Sequence, residues 1–124
     1  MKKTVLYYQI GNESKELFEL LDELHISYIE VNKSNSAQTL GSLLKLPGFK
    51  YEFKPSLVQD DTPMLVLNGF EEKEIDVLLG FIRKLNILPI PLKAMVTSSN
   101  INWSFEYLHE HVLEEHNQMR RLNK

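Results

Sequence analysis

The chain has no cysteine. That excludes disulfides, thiolate nucleophiles, iron–sulfur clusters and Cys-based zinc sites. It also fits a reducing compartment. No apolar run approaches the length of a membrane span. Met1-Lys2-Lys3 looks like the start of a signal peptide, but the apolar stretch behind it is short and soon meets Gln9. Basic charge is in deficit: 14 Lys and Arg face 17 Asp and Glu, for a net charge of -3. Phosphate binding needs clustered Lys and Arg, so a nucleic-acid partner is not expected. The few glycines form no phosphate-binding pattern. No nucleophile elbow accompanies the Ser and His residues, and no paired carboxylates stand out. The expectation is a soluble cytoplasmic protein, without membrane association and without a cofactor.

At 124 residues the chain is one domain by length, large enough to bury a core without metal or disulfides. Apolar residues make up 43% and charged residues 25%, which argues against disorder. Its most informative feature is an order that runs twice. Ile10-Gly11 ends an apolar run, Leu17 to Leu24 follow at helical spacing, Ile26 opens a second run, and Ser34-Asn35 precede Leu40, Leu43 and Leu44. In the second half Asn68-Gly69 ends a run, Leu78 to Leu85 make a helix, Ile87 leads onward, and Ser99-Asn100 precede Phe105 and Leu108.

Thr4 to Ile10 reads as a strand buried on both faces, and Met64 to Leu67 as the third strand. Ser27 to Val31 and Lys93 to Val96 read as their partners. Gly11-Asn12 stops the first strand, and Asn12 or Ser14 can cap the first helix. Ser34 or Ser36 can cap the second, and Pro47-Gly48 ends it. Alternating strands and helices predict an α/β fold. Two β-α-β-α units share one four-stranded, mainly parallel sheet with helices on both faces, in strand order 2-1-3-4. A pseudo-twofold axis then runs along the strands between the first and third. The first and last helices share one face, and the second and third share the other. The alternative is a ferredoxin-like mixed sheet with residues 49–54 added as an antiparallel edge. The single domain comprises pseudo-repeats of about 1–48 and 63–118, joined by an irregular 49–62 segment.

Four groupings are candidates for chemistry. Open parallel sheets bind ligands at the carboxyl ends of the strands, which places a crevice between Gly11-Asn12 and Asn68-Gly69. Lys93, Thr97 and Asn100 put a cation, a hydroxyl and an amide before a helix N-terminus, where free N–H groups could hold an anion. Their first-half counterparts are Asn32, Asn35 and Gln38. The plainer reading is favoured there: Ser99, Asn100 or Asn102 caps the last helix and Trp103 packs beside it. His109, Glu110, His111, Glu114, Glu115 and His116 read as a solvated polar face rather than a metal site. Phe49, Tyr51 and Phe53 alternate with Lys50, Glu52 and Lys54, which predicts an extended segment whose rings cover the core.

Met64-Leu65-Val66-Leu67-Asn68-Gly69-Phe70, Pro91-Leu92-Lys93-Ala94, Thr97, Asn100, Trp103 and Glu114-Glu115 resemble a small bacterial family known as domain of unknown function 3783. The resemblance covers residues 63 to about 116. Gln38-Thr39-Leu40-Gly41 and Leu46-Pro47-Gly48-Phe49 are similar to longer members. Glu71 departs from the Ser or Asp cap expected before the third helix. The resemblance implies one recurring unit and no activity, cofactor or catalytic residue. The leading expectation is a non-enzymatic binding or interaction module with an unknown protein partner or a second copy. The alternative is a regulatory domain for a small anionic metabolite or nucleotide. An enzyme ranks third.

Overall fold

A computed structural model of the chain describes residues 3–9, 15–58, 60–87 and 90–122. Its elements run β1 (Thr4–Tyr8), α1 (Lys15–Glu23), β2 (Ser27–Val31), α2 (Leu40–Leu43), β3 (Met64–Asn68), α3 (Glu72–Lys84), β4 (Leu92–Met95) and α4 (Phe105–Leu122). The Gly11-Asn12 turn and the proposed Asn12 or Ser14 cap lie outside the described residues. One sheet of order β2-β1-β3-β4 holds the four strands together, so the expected strand order is present.

Strand direction departs from expectation at the centre of the sheet. β1 pairs in parallel with β2, and β3 with β4, but β1 and β3 are antiparallel, with Thr4 opposite Asn68 and Tyr8 opposite Met64. The sheet is therefore mixed. Chain geometry gives the reason. A parallel β3 needs a return run along the sheet, yet α2 has four residues. At about 1.5 Å per residue it is far shorter than a five-residue strand at about 3.3 Å per residue. The chain instead re-enters the sheet at the end where β1 and β2 finish. Residues 49–54 form no strand, so they do not serve as an antiparallel edge.

This reversal moves the helices. Val5, Tyr7, Leu65 and Leu67 pack with Leu17, Leu20 and Leu21 of α1 and with Leu78 and Ile82 of α3. Leu6, Tyr8, Met64 and Val66 pack with Leu40 and Leu43 of α2 and with Phe105 and Leu108 of α4. Thus α1 and α3 share one face, and α2 and α4 the other, contrary to the expected pairing. Two antiparallel central strands are exchanged by an axis normal to the sheet, and such an axis keeps each helix on its own face. An axis along the strands would have swapped them. β1 and β3 are buried throughout, as their unalternating apolar runs predict for central strands.

The caps also differ from expectation. Thr39, not Ser34 or Ser36, caps α2: its Oγ1 accepts from Ser42 N at 3.1 Å. Ser104 caps α4, accepting from Tyr107 N at 3.1 Å. Before α3, Glu74 reaches back to accept from Glu71 N at 2.9 Å, the half of a capping box that satisfies the N-cap residue's own amide. The second helix is capped by Leu44, and Lys45 follows in a left-handed turn with φ 58°, ahead of Pro47-Gly48. Leu46 N donates to Gly41 O at 3.0 Å across that turn.

Candidate functional site

The two loops that lead into α2 and α4 are built alike. Asn35 Oδ1 accepts from Asn32 N at 2.9 Å, and Asn35 Nδ2 donates to Glu30 O at 3.0 Å. Asn100 Oδ1 accepts from Thr97 N at 2.8 Å, and Asn100 Nδ2 donates to Met95 O at 2.9 Å. Asn32 and Thr97 take the same role, accepting from the backbone of Ser34 and Ser99. The loops then meet. Leu40 N donates to Trp103 O and Phe105 N to Gln38 O, each at 2.9 Å, around a bridge between Thr39 and Ser104.

The amides that open α4 are thereby taken. Phe105 N and Glu106 N donate to Gln38 O and Ser36 O, and Tyr107 N and Leu108 N donate to Ser104. Asn100 is buried with both ends of its amide engaged. It works as a brace between a strand end and a turn. It does not cap α4. Lys93 is exposed. It alternates with Leu92 and Ala94, which face α2 and α4, so it stands on the other side of the sheet. The structure therefore joins Thr97 to Asn100 and Asn32 to Asn35, but does not bring Lys93 to them. Gly11-Asn12 lies outside the described residues; Asn68 lies beside Thr4, at the opposite end of the sheet from the close of β1, so the carboxyl ends of β1 and β3 do not meet. Asn100→Ala should cost on the order of 1–2 kcal/mol, because it strands Thr97 N and Met95 O. Chemical denaturation with urea checks this.

Gln38 has a different task. It is buried, and it accepts from Glu52 N at 2.8 Å while its Nε2 donates to Glu52 O. A side-chain amide thus pairs with residue 52 as a neighbouring strand would. It pins the 49–58 segment, which runs over the molecule as an irregular strap. Phe49 sits half-buried above Gly41, where a Cβ would come within 2.5 Å of the ring. The other two rings do not cover the core: Tyr51 is 55% exposed and Phe53 97% exposed. They lie edge-to-face at 5.5 Å from each other, and the Tyr51 hydroxyl donates to Ser34 O at 3.3 Å.

The strap's far end is tied to α4. Glu106 Oε2 accepts from Ser36 Oγ at 3.3 Å, Ser56 Oγ at 3.2 Å and Leu57 N at 3.1 Å. The first turn of a helix favours such a carboxylate. A groove of about 550 Å3 opens beside it, lined by Leu57, Val58, Asp60, Tyr107, His109 and Leu113 among others. Behind it, Tyr8 donates to Asp60 O at 3.0 Å and stacks edge-on against His109 at 4.9 Å. Burial first, and then the nearby Asp61, Asp60 and Glu106 carboxylates, push the Tyr8 phenol up to about 12. Burial acts to raise the Asp60 carboxyl as well. Hydrogen bonds from the Thr62 side chain and backbone outweigh it, and the group is held below its ordinary value.

His109 belongs to this core and not to a solvated face. It is 2% exposed, and its Nε2 meets Thr62 O at 2.8 Å. The sign in the sequence was its place four residues after Phe105 and one after Leu108, inside the apolar stripe. The charged residues around it hid that position. His111 does lie outside, 3.2 Å from Glu115. Among the described residues, no group of three His, Asp or Glu could hold a metal ion. Among them too, no helix is long and apolar enough to cross a membrane.

The family model described as "Domain of unknown function (DUF3783)" matches residues 63–119. That match runs from β3 through most of α4. No curated protein and no solved structure matches the chain. The matched segment supplies the α4 wall of the groove, while the strap lies outside it.

Proposed function

We propose that this protein is a non-enzymatic interaction module whose contact surface is the 49–58 strap, and that its contact is a second copy of itself. The observation that carries this reading is Phe53. It is 97% exposed on a segment that buried Gln38 and half-buried Glu106 hold in place at either side. Tyr51 and Leu57, at 55% and 77% exposed, widen the apolar patch. Rigid, solvent-facing aromatic side chains are the usual anchors of protein contacts. The strap also carries Lys50, Glu52 and Lys54, so both charge signs border the rings. In an isologous contact the same patch meets itself, and a surface with both signs is complementary to its own copy.

On this reading the chain is cytoplasmic, a placement that rests on its cysteine-free composition. It holds two copies of one β-α-β-α unit. The like-for-like bonds of Asn35 and Asn100 support that duplication. The alternative, a regulatory domain for a small anion near Lys93, Thr97 and Asn100 or near Asn32, Asn35 and Gln38, draws less support. The amides of Asn35, Gln38 and Asn100 are already spent on backbone partners.

Sedimentation equilibrium tests the reading. The wild type should sediment as a dimer. Phe53→Ser should sediment as a monomer, with a melting temperature within about 2 °C of the diluted wild type, as expected for an exposed position. A wild type that is monomeric at all concentrations, or a Phe53→Ser dimer, sinks self-association through the strap.

A further inference from the structure

Glu106, His109, Glu110 and Leu113 recur at three- and four-residue spacing on α4 and share one face. All four line the groove, opposite Leu57, Val58 and Asp60. The free polar atoms on that face are acceptors. Leu57 N and the Ser36–Ser56 hydroxyl pair, whose oxygens lie 2.7 Å apart, meet Oε2 of Glu106 and fix the carboxylate, and no described residue donates to its Oε1. The carbonyl of Thr62 can only accept, so in the neutral ring Nε2 of His109 carries the proton and Nδ1 is left with a lone pair. The ring is 2% exposed, and no described residue donates to Nδ1. A buried acceptor without a donor is costly, and such atoms call for a bound partner.

Charge points the same way. Asp60, Glu106 and Glu110 are carboxylates of one groove, and no Lys or Arg lines it. None of the three takes part in an ion pair among the described residues, where the pairs are Lys3–Glu74, Lys54–Glu52 and His111–Glu115. These groups do not converge tightly enough for a metal ion. Their complement is a wider cation, with several N–H donors at its head and an apolar stem to lie along Leu57, Tyr107 and Leu113.

We propose that this groove binds an alkylammonium or alkylguanidinium group, held by Glu106 Oε1, the Asp60 and Glu110 carboxylates and His109 Nδ1. The site adjoins the strap and deepens the interaction reading, on which it rests only for the idea that this face meets a partner. Two sources carry the same chemistry: a free organic amine, or the exposed Lys50 side chain of a second copy.

Isothermal titration at constant ionic strength tests the proposal, with propylguanidinium and propylammonium as probes and tetramethylammonium as a cation lacking N–H donors. The expected result is saturable binding of the first two and none of the third. Glu106→Gln should weaken binding about tenfold or more, since a hydrogen bond to a charged group is worth about that factor. Glu110→Gln, an exposed change that leaves the fold intact, should weaken it too. If the natural source is Lys50, then propylguanidinium and Lys50→Met should both split the dimer. If it is a free amine, binding persists and the dimer is unaffected. No saturable binding, equal binding of tetramethylammonium, or unchanged affinity in both Gln variants overturns the proposal. A wild-type dimer without saturable binding overturns the groove proposal alone, and a wild-type monomer that binds propylguanidinium overturns the strap contact alone.

Discussion

His109→Ala should destabilise the protein by about 2–4 kcal/mol in urea denaturation, while His111→Ala should change stability by less than about 0.5 kcal/mol. The two residues are separated by one position in a segment that reads as uniformly polar. Their environments are opposite. His109 is buried, packs edge-on against Tyr8 at 4.9 Å, and is the donor to Thr62 O. Removing it leaves a void beside an aromatic ring and a carbonyl without its partner. His111 is half-exposed and sits against Glu115 and the edge of Trp103. His109→Phe separates the two parts of the cost. The ring is kept and the donor is lost, so the expected penalty is about 1–3 kcal/mol. If His109→Ala melts like the wild type, the buried placement of this ring is wrong, and the groove loses its inner wall.

The same residue shows where the sequence was legible. Central strands were visible because β1 and β3 are apolar without alternation apart from Thr4 and Asn68 at their ends, and the order β2-β1-β3-β4 follows from pairing each with its own β-α-β neighbour. Relative direction was not visible. A strand's composition is the same whichever way it runs, and the deciding fact, a four-residue α2, depended on a boundary set by Lys45 in a left-handed turn. The loop residues Asn35 and Asn100 were found as a matched pair. Their duty was not, because an Asn before a helix can brace the preceding turn or cap the helix, and both use the same side chain. The groove was missed because it depends on long-range contacts. Ser36, Ser56 and Glu106 meet at one carboxylate from three separate parts of the chain.

Alkaline pH should unfold this protein through Tyr8. Burial and three neighbouring carboxylates raise the phenol from its ordinary 10.0 to about 12. The folded state therefore keeps this proton where the unfolded chain has already lost it. Below pH 10 both states bind the proton and the full stability is present. Between pH 10 and 12 the unfolded state binds fewer protons, so stability falls as pH rises, and the loss is complete above the folded value. A shift of this size corresponds to on the order of 3 kcal/mol. Tyr8→Phe keeps the ring in its core beside Phe105, whose centroid lies 5.8 Å away. It removes the phenol and its bond to Asp60 O, so it should cost about 1 kcal/mol at neutral pH. It should also flatten the slope of stability against pH across that window. Phenolate absorbance adds a direct reading, with one tyrosine ionising only as the protein unfolds. Equal alkaline slopes for the wild type and Tyr8→Phe would show that this phenol is not the group whose proton the fold protects.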